Sequence, residues 1–356
     1  MRSRRCATTC CCSGRILGQT TPSGCWRATG RASAASTTTF REPRPWRWQV
    51  RRGAEAGAKT AHGCAHAAPR SPRTALISAL RAAGVAPRDA RLLFLGAGEA
   101  GTGIGELWSL YLVREHGVSS LDAARRSCTY LDSQGLVCAS RHKLAHHKRP
   151  FAHDVPFVKD LLVAVRAHRP HVLLGVAAQG GAFTAEVLRE MAALNERPVL
   201  LPLSNPTSLA ECTAAEAFEH TAGRCLFASG SPFPAVRTAG GRLLEPSQAN
   251  NAYIFPALGY GALLCAATSL PDETFLVAAK VLAAQLADAE LVAGALFPPW
   301  SRIRDTAARI AAAVAAHAVA DGRGVEPQGL ADAGGWERYA RAHMWYPQPL
   351  PIDAKL

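Results

Sequence analysis

The chain has 356 residues, with 40 Lys+Arg against 27 Asp+Glu and a formal net charge of +13. The excess is local: residues 1–70 hold 13 of the basic residues and only Glu42 and Glu55 as acids, so they carry +11 and the other 286 residues carry +2. A near-neutral body argues against a charge-driven nucleic-acid or membrane-surface partner, and the basic segment lacks the interleaved aromatic platforms of a single-strand binder.

Residues 1–72 show neither a 3.6- nor a 2-residue apolar period. Arg, Ala, Ser, Thr, Gly and Pro dominate. Such a segment buries too little apolar surface to offset its ordering entropy, and disorder is expected. It reads either as a plastid or mitochondrial transit peptide, being Arg- and Ser-rich and poor in acids, or as sequence foreign to the authentic reading frame. Six of the eleven cysteines lie before residue 65, including Cys10, Cys11 and Cys12. The other five, Cys128, Cys138, Cys212, Cys225 and Cys265, sit in apolar stretches with no CxxC spacing. They fit reduced, buried thiols in an intracellular protein. Plastid, mitochondrion and cytoplasm all remain open as compartments.

From residue 74 the texture changes, and residues 73–356 are expected to form one domain. A helix is predicted over 74–83, a strand over 92–95 and a helix over 102–115. A second strand over 128–131 ends at Asp132. Then follow a helix over 155–167, a strand over 172–176, a helix over 183–194, a strand over 199–203, a helix over 213–222 and a strand over 225–228. The remainder is helical, at 252–268, 272–286 and 303–320. Between Pro246 and Pro271 there is no charged residue. Its length approaches a bilayer span, but Pro256, Gly259, Gly261 and the polar entry Gln248-Ala249-Asn250-Asn251 favour a buried core helix. Strands alternating with helices predict a doubly wound α/β fold: a parallel sheet covered on both faces, followed by C-terminal helices.

The stretch "LLFLGAGEAGTGIGEL" places Gly96-Ala97-Gly98-Glu99-Ala100-Gly101 between a predicted strand and a predicted helix. That is the setting in which GxGxxG binds a dinucleotide. Gly96 permits the tight turn, Gly98 lets backbone approach a pyrophosphate, and Gly101 lets helix pack on strand. The helix N-terminus then offers free N–H groups and the positive end of a dipole. The alternative is a plain glycine bend. Asp132 stands where a ribose-reading acid belongs, although farther along the chain than usual; otherwise it is a strand-end Asp capping a turn at Gly135. Just beyond, "DSQGLVCASRHKLAHHKRPFAHD" supplies Arg141, Lys143, Lys148 and Arg149, cations suited to a 2′-phosphate or to a merely solvated loop. His142, His146, His147 and His153 lack the ligand spacing of a zinc site, and no metal-binding residue is assigned.

Two polar loops leave predicted strands at the edge where ligands of such sheets bind. "LLPLSNPTSLAECT" places Asn205 directly after a strand. Its amide could bond a carboxylate or hydroxyl, or simply shape an Asn-Pro turn. "SQANNAYIFP" places Asn250 and Asn251 before the uncharged helix, as ligand-binding amides or as caps. "LFASGSPFP" is most simply a Gly/Pro-shaped turn.

Together, "FLGAGEAGTGIGEL", "YLDSQGL", "LLGVAAQGGAFTAEV", "LLPLSNPTSLAECTAAEAF", "LFASGSPFPAV", "QANNAYIFPALGYGALL" and "LFPPWSRIRD" resemble the C-terminal half of malic enzymes in matching order, above all the NADP-dependent plant and algal branch, over about residues 74–346. The resemblance implies a Rossmann-like domain and oxidative decarboxylation of (S)-malate to pyruvate and CO2, with NADP, or alternatively NAD, and a divalent Mg or Mn ion. It assigns Gly96, Ala97, Gly98, Glu99 and Gly101, with Asp132, to the dinucleotide, and Val176 and Ala177 to the same site. Ser133 and Lys148 match the NADP-preferring members, in agreement with the charge argument from Arg141, Lys143, Lys148 and Arg149. Asn205, Asn250 and Asn251 fall at malate-contacting positions. Homo-oligomers are common in the family. Neither nucleic acid nor membrane is implied.

The departures limit what is expected. The family's general base, general acid and acidic metal ligands belong to an N-terminal half with no counterpart here. No acid occurs between Glu55 and Asp89, where the last metal ligand should stand. Ser247-Gln248-Ala249 replaces a more usual Gly-Gln-Gly, and Ala257 replaces a glycine. Decarboxylation needs a metal to stabilise the enolate, a base and an acid. The chain alone is therefore expected to bind a dinucleotide without turning over malate; the alternative reading is a non-catalytic nucleotide-binding module in its own right.

Overall fold

A computed structural model describes residues 71–346, Ala239 excepted. The disorder expected of 1–72 concerns positions outside the described residues, apart from the last two, which open helix α1 (Ser71–Ala83).

Four short apolar runs form the centre of the molecule: β1 (Leu92–Leu95), β4 (Val172–Gly175), β5 (Val199–Pro202) and β6 (Leu226–Ser229). Every residue in them is buried. Runs without polar alternation are what a parallel sheet covered on both faces requires. With β2 (Cys128–Asp132), β3 (Gly135–Leu136) and β9 (Ser247–Gln248) they form one sheet in the order β3-β2-β1-β4-β5-β6-β9. All pairs are parallel except the β2–β3 hairpin. A separate two-stranded ribbon joins β7 (Val236–Arg237) to β8 (Leu243–Leu244).

The strand period of two divides the core. Leu92, Phe94, Val172, Leu174, Val199 and Leu201 point to one face. There they meet α1, α2 (Glu99–His116), α7 (Phe255–Leu264), α8 (Asp272–Ala284) and α10 (Ile303–Ala320). Leu93, Leu95, Leu173, Leu200 and Phe227 point to the other, against α4 (Leu161–His168), α5 (Ala185–Leu194) and α6 (Ala214–His220). Phe94 is fully buried and stacks on Tyr130 at 4.4 Å between ring centroids. The predicted doubly wound α/β fold with trailing helices is thus the observed one.

Several boundaries differ from expectation for local reasons. The helix predicted over 155–167 starts only at Leu161, because Pro156 disfavours a helical conformation before it and Asp160 is the N-cap, its carboxylate accepting the Val163 N–H. The helix at 102–115 begins three residues earlier, at Glu99, with Gly98 as N-cap. The helix predicted over 213–222 is fixed by a capping box between Thr213 and Glu216. The uncharged stretch 246–271 yields the short strand β9, a 3-10 turn at Asn251–Tyr253 and the ten-residue α7. No helix among the described residues is long and apolar enough to cross a membrane. Short α3 (Leu121–Arg125), α9 (Asp288–Ala293) and α11 (Trp336–His343) complete the elements. The five described cysteines are buried and free, and burial pushes the Cys128 and Cys225 thiols up to about 12.

Phe94→Ala should cost about 3–5 kcal/mol of unfolding free energy, the usual range for a large core truncation. Phe255→Ala, at an exposed position, should stay within about 0.5 kcal/mol. Urea titration of the full chain followed by circular dichroism measures both.

Candidate nucleotide site at the carboxyl edge

The strand order reverses between β1 and β4, so the crevice of the fold opens above their carboxyl ends. The glycine turn occupies that point. Gly96 has φ 108°, its N–H donates to the Leu131 carbonyl at 2.7 Å, and a Cβ there would lie 2.7 Å from the Val176 carbonyl carbon. Gly101 packs helix on strand: a Cβ would fall 3.0 Å from the Gly96 oxygen and from Val176 Cγ2. Gly98 differs, because a Cβ there would meet nothing within 4 Å. It is the N-cap of the 18-residue α2, and no side chain caps that end. An exposed helix N-terminus behind open space suits the close approach of a phosphate. Ala97 is buried below the turn, and Glu99 is exposed in the first helical turn.

The basic loop is fastened beside this turn. The 3-10 segment His146–Phe151 buries Phe151 against Tyr130 at 4.8 Å. His153 Nε2 lies 3.0 Å from the Arg125 and Cys128 carbonyl oxygens. Lys148 is thereby placed at the end of β2, where its Nζ donates to Asp132 Oδ2 at 2.6 Å. Arg141 donates to both Asp132 oxygens, at 3.0 and 3.2 Å, and the Gln134 N–H donates to Oδ1 at 2.9 Å. Asp132 therefore both shapes the turn and gathers two cations. Its side chain is 8% exposed. Burial alone would raise its pKa; the bonds from Arg141, Lys148 and Gln134 and the Lys148 charge outweigh burial, and the net shift is downward. Of the four cations read from the sequence, Arg141 and Lys148 converge, while Lys143 and Arg149 stay exposed. Ser133 is exposed beside Asp132 and lines a cleft of ≈ 320 Å³ with Lys159, Gln179 and Ala182.

Val176 and Ala177 form the turn that faces Gly96, the Val176 N–H donating to the Leu95 carbonyl at 2.8 Å. Adjacent strands lie about 4.8 Å apart, so the loop after β5 stands about 10 Å along the edge from the glycine turn and the loop after β9 about 19 Å. Asn205 is exposed in the first of these, with Oδ1 accepting from Ser231 Oγ at 2.5 Å. Asn250 caps the following 3-10 turn through the Ala252 N–H, and Asn251 is exposed. The replaced glycines are accommodated. Ser247 and Ala249 avoid the left-handed region, Ser247 Oγ accepts the Leu296 N–H, and Ala257 is fully buried in α7.

Three residues at this edge escaped the sequence reading. His147, met there only in a histidine-rich loop, has Nε2 3.1 Å from the Ala97 carbonyl oxygen of the glycine turn. Ser204 and Glu211 join the loops after β4 and β5. Gly175 was the available signal for Glu211, since a glycine inside a strand marks a close approach. A second cavity, of ≈ 230 Å³, lies at the opposite, amino edge of the sheet. There Arg197 donates to the Ala82 carbonyl in the last turn of α1, and Arg224 to the carbonyls of Ala192 in the last turn of α5 and of Glu196 just beyond it, a bracing arrangement remote from the glycine turn. Among the described residues no group of three or more His, Cys, Asp or Glu side chains could hold a metal ion; the donor set for a divalent metal is not provided by them.

Fold and edge together define a Rossmann-like α/β domain. The chain belongs to the malic enzyme family: residues 73–319 match the family model described as the malic enzyme NAD binding domain. NADP-dependent malic enzyme 3 of Arabidopsis thaliana is 47% identical over 242 residues, covering 68% of this chain and 41% of that protein. The NADP-dependent malic enzyme of Vitis vinifera is 45% identical over 276 residues, covering 76% and 45%. The chain thus spans less than half the length of these relatives. The crystal structure of Entamoeba histolytica malic enzyme shares the fold, with TM-score 0.60 and 21% identity over 78% of this chain and 51% of that one. A Pyrococcus horikoshii malic enzyme gives TM-score 0.58 at 20% identity, covering 78% and 58%.

Because the folded-state Asp132 pKa is depressed, its contribution is present above the ordinary carboxylate value and is lost as pH falls through the folded value. Asp132→Asn should cost about 2 kcal/mol near neutrality, within the range for charge-assisted bonds. The gap to wild type should narrow as pH is lowered from about 6 to about 3. Denaturant titrations across that range check the sign.

Proposed function

We propose that the carboxyl edge binds NADP, in preference to NAD, as the cofactor domain of a malate-oxidising enzyme. The observation that carries this reading is the Gly96-Gly98-Gly101 turn at the strand-order reversal, opening onto the uncapped N-terminus of α2. The residues fit a dinucleotide. The Gly98 turn and the α2 amides would take the pyrophosphate, with Val176 and Ala177 as the facing wall. Asp132 with Ser133 would take the adenosine ribose. The preference for NADP rests on charge: Arg141 and Lys148 exceed Asp132 by one positive charge at the strand end where a 2′-phosphate would lie.

A bound nicotinamide dinucleotide supplies the hydride acceptor. The chain's own residues bind and orient. Asn205 and Asn251, exposed on the same edge, would present amides to a small hydroxy acid, and the buried ends of β1 and β4 close the floor of the crevice. Malate and the NADP preference are supported by the named plant relatives, which are NADP-dependent malic enzymes; the divalent Mg or Mn ion rests on the family resemblance alone. The residues described here do not fit the metal. This chain is accordingly proposed to bind cofactor, with malate turnover requiring groups beyond those described. Assembly into homo-oligomers is part of the same proposal.

Calorimetric titration of the full chain tests the reading. NADP should bind more tightly than NAD. Lys148→Gln should weaken NADP by about 10- to 100-fold, the equivalent of one charge-assisted bond, and leave NAD within about twofold. Absence of binding by either nucleotide contradicts the reading; equal losses for both contradict the 2′-phosphate assignment.

A further inference from the structure

Glu211 lies between the β5 loop and α6 with none of its surface exposed. A carboxyl group in such a place needs a reason, because burying it without a cation is costly. Its Oε1 accepts from Ser204 Oγ at 2.5 Å and from the Ala177 N–H at 3.2 Å, while Oε2 has no partner. Ser204 Oγ in turn accepts the Ala178 N–H at 2.9 Å. Two consecutive amides of the turn after β4 thus end on one Glu–Ser pair from the next loop. The second of them, Ala178, is left-handed, φ 53°, a conformation that a non-glycine residue keeps only where its surroundings hold it. The strand makes room for the acid: a Cβ on Gly175 would lie 2.3 Å from Glu211 Cδ. Burial pushes the carboxyl up, with the Ser204 and Ala177 bonds opposing. In the neutral form one oxygen can accept both bonds and the other carries a proton in place of a charge.

We infer that Glu211 is a positioning residue that, through Ser204 and the Ala177 and Ala178 amides, locks the turn facing the glycine loop to the Ser204–Asn205 loop, so that the cofactor side and the substrate side of the edge move as one body. It touches neither ligand. The inference rests on the reading of this edge as the ligand site, and its test separates the two.

Amide hydrogen exchange measured by NMR on the full chain, with NADP titrated in parallel, compares wild type with Glu211→Ala, Glu211→Gln and Ser204→Ala. The Ala177 and Ala178 amides should exchange at least tenfold faster in Glu211→Ala, and Ala178 in Ser204→Ala. Leu93 and Leu200 in the sheet should keep their rates. Glu211→Gln should keep both turn amides slow, since its side-chain oxygen can accept the same two bonds, and NADP affinity should follow the same order. Should Glu211→Ala not fold, the Ser204→Ala and Glu211→Gln arms decide. Unchanged exchange at Ala177 and Ala178, or Glu211→Gln as fast as Glu211→Ala, overturns the inference. Changed exchange in a chain that binds no NADP keeps the lock and refutes the nucleotide reading; NADP binding with unchanged exchange does the reverse.

Discussion

At Gly96 the main chain leaving one strand runs against the main chain leaving its neighbour, with space for a hydrogen atom and no more. A methyl group there would stand 2.7 Å from Val176 backbone atoms and 2.9 Å from the Ala177 nitrogen. The same residue has φ 108°, which L side chains rarely adopt. This contact sets the direction in which α2 departs, leaves the helix N-terminus facing the crevice and brings the Val176–Ala178 turn to its wall. Gly101 repeats the constraint one turn later by holding the helix against the strand. The packing of β1 and β4 below would survive a looser turn; the open space beside Gly98, where a Cβ would meet nothing within 4 Å, would not.

The charges are arranged around that space with little excess. Asp132 satisfies Arg141 and Lys148 at once, and the three groups sum to one positive charge. Such a pair is weak evidence for stability, because the desolvation of its members offsets much of their attraction. Its clearer consequence is positional. The loop 141–151 has few apolar anchors other than Leu144 and Phe151, and Asp132 fixes two of its cations, Arg141 and Lys148, at the strand end. Asp132 is thereby a shaping residue as much as a ribose reader.

Much of the fold was legible because its strands are continuous apolar runs bounded by turn residues, and several of its shorter helices, α4, α5 and α6, carry side-chain caps. Leu92–Leu95, Val172–Gly175 and Val199–Pro202 needed no tertiary information. Two-residue strands such as β3, β7, β8 and β9 leave no periodic trace, because ladder bonds to a neighbour define them. The late start of α4 was written in Pro156 and Asp160, yet the apolar residues from Val155 onward imitate a helix. At the site, the glycine spacing and the cations were visible. What stayed hidden were contacts between loops: His147 on Ala97, and Glu211 under Ser204. A glutamate among alanines looks like a surface acid until the sheet buries it.

The most direct test of the account is amide chemical-shift mapping of the full chain as NADP is added. The largest shifts should fall at Gly98, Glu99 and Ala100, with a second group at Ser133 and Lys148. Shifts confined to the arginine-lined cavity at the amino edge, or to residues 1–70, would contradict it.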